Sequence, residues 1–270
     1  MFRSFGLLGA AFVAVGLAMS SIAQAAPGFD RIVVFGDSLS DNGNAGRFSN
    51  GPVWVEQLAE RLALALRPSQ MGGSNFAVGG ARLAPPSEPH NLRVQADMFL
   101  AMPRSGGRTL HIVWGGGNDL LAAVGYADAP IAVDRAVASL KSILADLVEQ
   151  GATDILVPNL PDIGMTPEMR ARGPRAIAEA GRLTDRFNTA VDHALADFAA
   201  APRLQLYRLD VRAMAERARA NPAEFGFVDV ATPCSELASC EGYLFWDHVH
   251  PTTHAHGRLA QAAFHLVSSH

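Results

Sequence analysis

The sequence predicts an α/β fold built on a parallel sheet with helices over both of its faces. Three observations carry that expectation. Short β-branched apolar runs alternate along the chain with longer stretches of helical spacing, the order that βαβ units require. Those runs are apolar almost throughout instead of alternating with polar residues, as strands buried on both faces are. The chain has 270 residues, 49% hydrophobic and 18% charged, enough for one large domain or two small ones and too apolar for a disordered chain. A net charge of −4, from 22 basic and 26 acidic residues, gives no electrostatic case for binding nucleic acid. Mean hydropathy is +0.13, which raises the question of a membrane segment.

The start of the chain answers it. Arg3 is a short basic region, Phe5–Met19 is apolar and uncharged, and Ala23-Gln24-Ala25 has the small-x-small form of a cleavage site. About 15 apolar residues fall short of the ~20 that cross a bilayer. Residues 1–25 are therefore expected to be a cleaved signal peptide, and 26–270 a single exported domain, periplasmic or extracellular, monomeric and without stable membrane insertion.

The elements follow in order. Arg31–Gly36 (RIVVFG) reads as a buried strand ending at glycine. Val53–Leu66 has helical spacing between Pro52 and Pro68. Asn75–Val78 is a short strand-like segment running into Gly79-Gly80, and Pro85–Asn91 is a surface loop. Thr109–Trp114 (TLHIVW) is a second strand, ending at Gly115-Gly116-Gly117. Pro130–Gln150 is a long helix stopped by Gly151. Asp154–Pro158 is a third strand, followed by Pro161–Arg175, a loop or lid on the substrate side. Glu168–Ala200 is helical with an interruption near Gly173-Pro174. Leu204–Leu209 is a fourth strand, a helix runs on to about Ala220, and Thr252–Val267 is the last helix. Between them lie Cys234 and Cys240, six positions apart beside Pro233, Ser235 and Ser239. In an oxidising compartment such a pair closes a small disulfide loop. The spacing is wrong for a redox Cys-x-x-Cys, and no second pair exists for a zinc site.

In such folds reactive groups gather beyond the carboxyl ends of the strands. There the sequence has Asp37-Ser38-Leu39-Ser40-Asp41-Asn42, then Gly79-Gly80, then Asn118-Asp119, and before the last helix Asp247-His248-Val249-His250-Pro251. Serine hydrolysis needs a nucleophile, a base, a group orienting the base, and donors for the oxyanion. Ser38, His250, Asp247 and the donors Ser38 N–H, Gly80 N–H and the Asn118 amide fill those roles. Each has a plainer alternative. A serine at such a turn also caps a helix, asparagine is a good N-cap, and glycine pairs mark tight turns. The joint appearance of all four segments, in order and each at a strand end, favours the catalytic set.

The motifs are also specific. Gly36-Asp37-Ser38-Leu39-Ser40-Asp41-Asn42-Gly43-Asn44, Asn75-Phe76-Ala77-Val78-Gly79-Gly80-Ala81, Gly116-Gly117-Asn118-Asp119 and Asp247-His248-Val249-His250-Pro251 resemble, block by block, the GDSL lipase/esterase family of the SGNH hydrolase superfamily. The resemblance spans Phe35 to Pro251. It implies a three-layer α/β/α sandwich, a serine esterase or lipase acting through an acyl-enzyme, and no metal or organic cofactor. It also implies that Gly80, or Gly79 one position away, supplies an oxyanion amide. Arg47–Ala59 (RFSNGPVWVEQLA) resembles secreted bacterial lipases, phospholipases and haemolysin-like members. An acyltransferase would use the same residues. A metal-dependent hydrolase is the competing chemistry, since Asp247, His248, His250, His254 and His256 crowd one stretch. A non-catalytic binding protein on the same fold is the other. Phe48, Trp54 and Trp246 lie near the blocks, where core packing is the ordinary role of an aromatic.

Overall fold

The computed structural model describes Met1 and residues 28–84, 89–104, 106–198, 200–201 and 203–269. Apart from Met1 the expected leader lies outside the described residues, as do residues 85–88 of the Pro85–Asn91 loop. In chain order the elements are β1 (Arg31–Gly36), α1 (Trp54–Arg61), α2 (Leu92–Leu100), β2 (Thr109–Trp114), α3 (Gly117–Ala123), α4 (Ala129–Glu149) and β3 (Asp154–Pro158). They continue with α5 (Pro167–Ala171), α6 (Pro174–Ala196), β4 (Gln205–Leu209), α7 (Val211–Ala220), β5 (Asp229–Pro233), β6 (Tyr243–Phe245) and α8 (Thr253–Ser268).

Strands β1–β4 form one parallel sheet in sequence order, with Gly36 in register with Trp114 and Pro158 with Leu209. The Ser74–Val78 segment runs along the free side of β1. Val34 N–H donates to Ser74 O, and Phe76 and Val78 N–H donate to Val34 O and Gly36 O. Ile32 to Phe35, Leu110, Ile112, Val113 and Ile155 to Val157 are all buried, so both faces of the sheet are covered. Helices α1 and α8 pack together as one layer, and α2, α3, α4 and α6 as another, giving an α/β sandwich. Among the described residues no helix is long and apolar enough to cross a membrane.

The caps explain most boundaries. Pro167 and Pro174 open α5 and α6 at N1, where a missing N–H costs nothing. Gly173, at φ 92°, separates the two and accounts for the expected interruption. Asp210 and Thr252 accept N–H groups of the first turns of α7 and α8.

Helix α1 departs from its expected span over Val53–Leu66. It ends at Arg61 because Ala63 takes a left-handed conformation, φ 56°. Leu64 N–H then reaches back to Ala59 O at 2.8 Å and Ala63 N–H to Glu60 O at 3.0 Å, a Schellman ending built on alanine. Helix spacing runs on past Arg61 with no glycine to mark the stop. The second sheet, β5–β6, is also additional to the sequence expectation. The Cys234–Cys240 disulfide links the end of β5 to the stretch before β6, with 5.1 Å between the Cα atoms.

Candidate active site

Ser38 sits two residues beyond the end of β1. Its turn is closed by Ser40 and Asp41 N–H groups donating to Asp37 O, and by Leu39 N–H donating to Asp37 Oδ1 at 3.0 Å. Gly36 is clamped from the side by Gln95 of α2, whose Oε1 accepts Gly36 N–H at 2.9 Å and whose Nε2 donates to Gly36 O at 2.8 Å. Ser38 is buried apart from a 6% residue.

His250 approaches from a different part of the chain. Its Nε2 lies 2.9 Å from Ser38 Oγ, across 212 residues of sequence, and its Nδ1 lies 2.7 Å from Asp247 Oδ2. Asp247 Oδ1 also accepts the N–H groups of Val249 and His250 at 2.8 and 2.7 Å, which folds the short loop around the carboxylate. Burial pushes the Asp247 carboxyl up, but the His250 ring and those two N–H donors outweigh it and hold it below its ordinary value. An ionised Asp247 keeps the proton of a neutral imidazole on Nδ1 and leaves Nε2 as an acceptor toward Ser38.

The loop expected to carry the lipase-like signature is the strap between these two sites. Ser49 Oγ donates to Pro251 O at 2.9 Å, Thr253 N–H to Asn50 Oδ1 at 2.8 Å, and Thr253 Oγ1 to Pro52 O at 2.8 Å. Arg47 pairs with Glu56 at the start of α1, and Glu56 Oε2 accepts Val53 N–H at 2.8 Å. Phe48 lies against the His250 ring at 5.3 Å between centroids. It also lies against Gly79, where a Cβ would come 2.3 Å from the ring, so any larger residue there has to displace Phe48.

The other two blocks complete the rim. Asp41, fully buried, accepts Gly43, Asn44 and Ala45 N–H groups from its own loop and Gly79 N–H at 2.8 Å from the second block. Asn75 donates to Ser40 O, and Asn44 donates to Asn75 O and Ala77 O. These bonds bind the serine loop and the glycine loop into one unit. Gly79 N–H is thus consumed by Asp41. Gly80, at φ 77°, is exposed, and among the described residues its N–H has no protein acceptor.

Asn118 lies in the first turn of α3, where Gly116 rather than a side chain is the cap residue, so it does not act as an N-cap. Its Nδ2 donates to Ala81 O at 3.0 Å, which holds the amide beside the Gly80 loop with a second N–H still available. Asp119 accepts Leu83 and Ala84 N–H groups at 2.9 Å each and braces the same loop from below. Burial raises the carboxyls of both Asp37 and Asp119 to about 6 against the N–H groups they accept.

The five potential metal ligands near the end of the chain do not converge. His254 Nε2 is 2.8 Å from Phe225 O, His256 is buried with neither ring nitrogen partnered among the described residues, and His250 is held by Asp247. Among the described residues no group of three or more His, Cys, Asp and Glu side chains is arranged to hold a metal ion. His111 is buried in β2 with Nδ1 3.3 Å from Asp154 O, a core residue as its strand position suggests. Sequence reasoning missed Gln95, because α2 itself was missed. The available signal was a glutamine at the i+3 position of an i, i+3, i+4 face formed with Leu92 and Ala96.

With this geometry in view, the likeness to known proteins is direct. Residues 32–263 match the family described as GDSL-like Lipase/Acylhydrolase. A phosphatidylcholine-sterol acyltransferase of Aeromonas hydrophila is 28% identical, the match covering 92% of this chain and 92% of that protein. Lipase 1 of Photorhabdus luminescens is 35% identical over 57% of this chain and 26% of its own length. A thermolabile hemolysin of Vibrio parahaemolyticus is 25% identical over 86% of this chain and 62% of its length. The fold matches that of an acetylxylan esterase from Geobacillus stearothermophilus, with TM-score 0.55 at 14% identity over 90% of this chain and 96% of the other.

Proposed function

We propose that this chain, which belongs to the GDSL-like lipase/acylhydrolase family, hydrolyses carboxylic esters with Ser38 as nucleophile, His250 as base and Asp247 as the group that orients it. The observation that carries this reading is the 2.9 Å contact of Ser38 Oγ with a histidine nitrogen whose ring partner is a carboxylate at 2.7 Å. Ser38 Oγ attacks the ester carbonyl carbon while His250 Nε2 takes its proton. The tetrahedral oxyanion accepts from Ser38 N–H, Gly80 N–H and the Asn118 side chain. Collapse expels the alcohol, which takes the proton from His250, and leaves Ser38 acylated. Water then attacks with His250 again as base, releasing the acid and free Ser38. Gly80 is the better choice of amide than Gly79, because Asp41 already occupies the Gly79 N–H.

The Cys234–Cys240 bridge supports export to an oxidising compartment, in keeping with a leader over 1–25 and one mature domain over 26–270. A second reading is acyl transfer to an alcohol acceptor, favoured by the likeness to the Aeromonas acyltransferase across nearly the whole of both chains. The two share every step up to the acyl-enzyme and differ in whether water or an alcohol takes the acyl group.

The test is a p-nitrophenyl ester series with wild type and Ser38→Ala. A pre-steady-state burst in wild type and no turnover in a folded Ser38→Ala protein are expected. Substantial ester cleavage by folded Ser38→Ala sinks the assignment. Addition of an acceptor alcohol separates hydrolase from transferase by the product formed.

A further inference from the structure

Gly36 is the last residue of β1, and the chain turns out toward Ser38 from there. On the free side of β1 the ladder with Ser74–Val78 is regular as far as Val34, whose N–H donates to Ser74 O and whose O accepts Phe76 N–H. The next rung of a parallel pair would put Gly36 N–H on Phe76 O. Gln95 of α2 takes that N–H instead, with Oε1 at 2.9 Å, while its Nε2 donates to Gly36 O at 2.8 Å beside a longer bond from Val78 N–H at 3.2 Å. A side-chain amide thus stands in for a strand at the point where the sheet ends. Backbone bonds are what anchor this point, because a Cβ on Gly36 would come 2.9 Å from Trp114 O.

Gln95 is itself held firmly. It is 2% exposed, and its Nε2 donates also to His90 O at 3.0 Å. Helix α2 is tied to α4 by the Arg93–Asp146 ion pair, and at its start Leu92 N–H donates to Arg82 O at 3.0 Å, in the loop that follows Gly80. One short helix therefore bonds both to the strand that leads into Ser38 and to the loop that leads out of Gly80. We infer that Gln95 is a positioning residue for the nucleophile: by fixing Gly36 it sets Ser38 Oγ against His250 and Ser38 N–H against the oxyanion. The inference rests on the hydrolase reading above. A displacement of about 1 Å between reacting groups costs on the order of 100-fold in rate, so loss of this clamp is felt in the chemical step and not in ester binding.

The experiment measures kcat and KM for p-nitrophenyl butyrate in wild type, Gln95→Leu and Gln95→Glu across weakly acid to alkaline pH, with competent sites counted from the burst and folding checked by circular dichroism at each pH. Gln95→Leu keeps the size of the side chain and removes both bonds to Gly36. Its kcat per competent site is expected to fall about 10- to 100-fold, with KM little altered. Gln95→Glu is the conservative rescue. When protonated, its carboxyl offers an acceptor to Gly36 N–H and an O–H to Gly36 O. When ionised, it only accepts and sets its charge against Gly36 O. Burial raises the pKa of such a carboxyl, so the ratio of Gln95→Glu to wild-type kcat is expected within about threefold of unity at the acid end and roughly tenfold or more lower at the alkaline end. The ratio cancels the titration of His250 common to both proteins, and a role confined to stability leaves it flat in the folded protein. A folded Gln95→Leu enzyme with wild-type kcat overturns the inference. A flat Gln95→Glu ratio overturns it too, and decides the matter if Gln95→Leu does not fold. A wild type inert to every ester, or a Ser38→Ala control that remains active, overturns the hydrolase reading instead and this inference with it.

Discussion

Asp41 Oδ2 accepts the Gly79 N–H at 2.8 Å, joining the serine loop to the glycine loop across 38 residues of sequence. The same carboxylate holds three further N–H groups, so it is the hub on which the relative position of Ser38 and Gly80 depends. An Asp41→Ala change leaves up to four donors without their acceptor in a buried place, at about 1–3 kcal/mol for each that water does not reach. Expected are a melting temperature lower by roughly 5–10 °C and a kcat lower by about tenfold or more with KM little altered. That split separates displacement of the proposed oxyanion amide from loss of ester binding. A folded Asp41→Ala enzyme with unchanged kcat removes Asp41 from the positioning of the site.

Asn118→Ala tests the side-chain donor. The substitution removes an amide whose Nδ2 is tied to Ala81 O, while the backbone of α3 stays capped by Gly116. Loss of one oxyanion donor costs on the order of 100- to 1000-fold in turnover. Thermal melting is expected to change by about 1 kcal/mol or less, the ordinary value of one hydrogen bond. An activity loss under tenfold means the oxyanion is held by the two backbone N–H groups alone.

Strands β1, β2 and β3 were legible to the residue, because a strand buried on both faces has an apolar run with sharp polar or glycine ends. The candidate site was legible for the related reason that its segments are unusual clusters of small and polar residues, and the structure brings Ser38, His250 and Asp247 of those segments within hydrogen-bond distance. What was not legible has local causes. Helix α2 is short, and its buried face includes Gln95, which breaks the apolar pattern although its contact with Gly36 supports the serine turn. Strands β5 and β6 pair irregularly between Asp229 and Pro233, with little periodicity to read. Whether Gly79 or Gly80 has an available N–H is decided by an acceptor, Asp41, that the sequence alone does not bring near either.

Ala63→Gly is expected to stabilise the protein. Ala63 ends α1 at φ 56°, where an L residue with a Cβ pays about 1 kcal/mol that glycine does not. The residue is exposed, so no packing is lost. Glycine's greater freedom in the unfolded chain offsets part of the gain. A rise of about 1–3 °C in melting temperature, with unchanged esterase activity, is the expected outcome. A fall in melting temperature means the Ala63 methyl is favourable at that turn.

His256 makes the stability of the protein depend on pH. It is fully buried in α8 with neither Nδ1 nor Nε2 partnered among the described residues, and burial lowers its pKa to about 3, with the charges of His250 and Arg47 adding to the effect. The unfolded chain protonates this residue near 6.5 and the folded protein does not, so its contribution is intact above pH 6.5 and is lost as pH falls toward 3. Between pH 8 and pH 5 that loss is about 2 kcal/mol. His111, lowered to about 4 by its burial in β2, acts in the same direction. Asp37 and Asp119 act oppositely, since carboxyls raised to about 6 destabilise the fold above that pH and cease to do so as it falls toward their unfolded value near 3.8. The total profile therefore mixes both signs, and a single substitution isolates one. His256→Leu removes the titrating ring and its unpaired nitrogens while keeping an apolar group of similar size. It is expected to raise stability by about 1 kcal/mol at pH 8 and by about 3 kcal/mol at pH 5, read from urea midpoints at the two pH values. An equal gain at both leaves the ring without a part in acid unfolding, and a loss at both means that it has a buried hydrogen-bond partner.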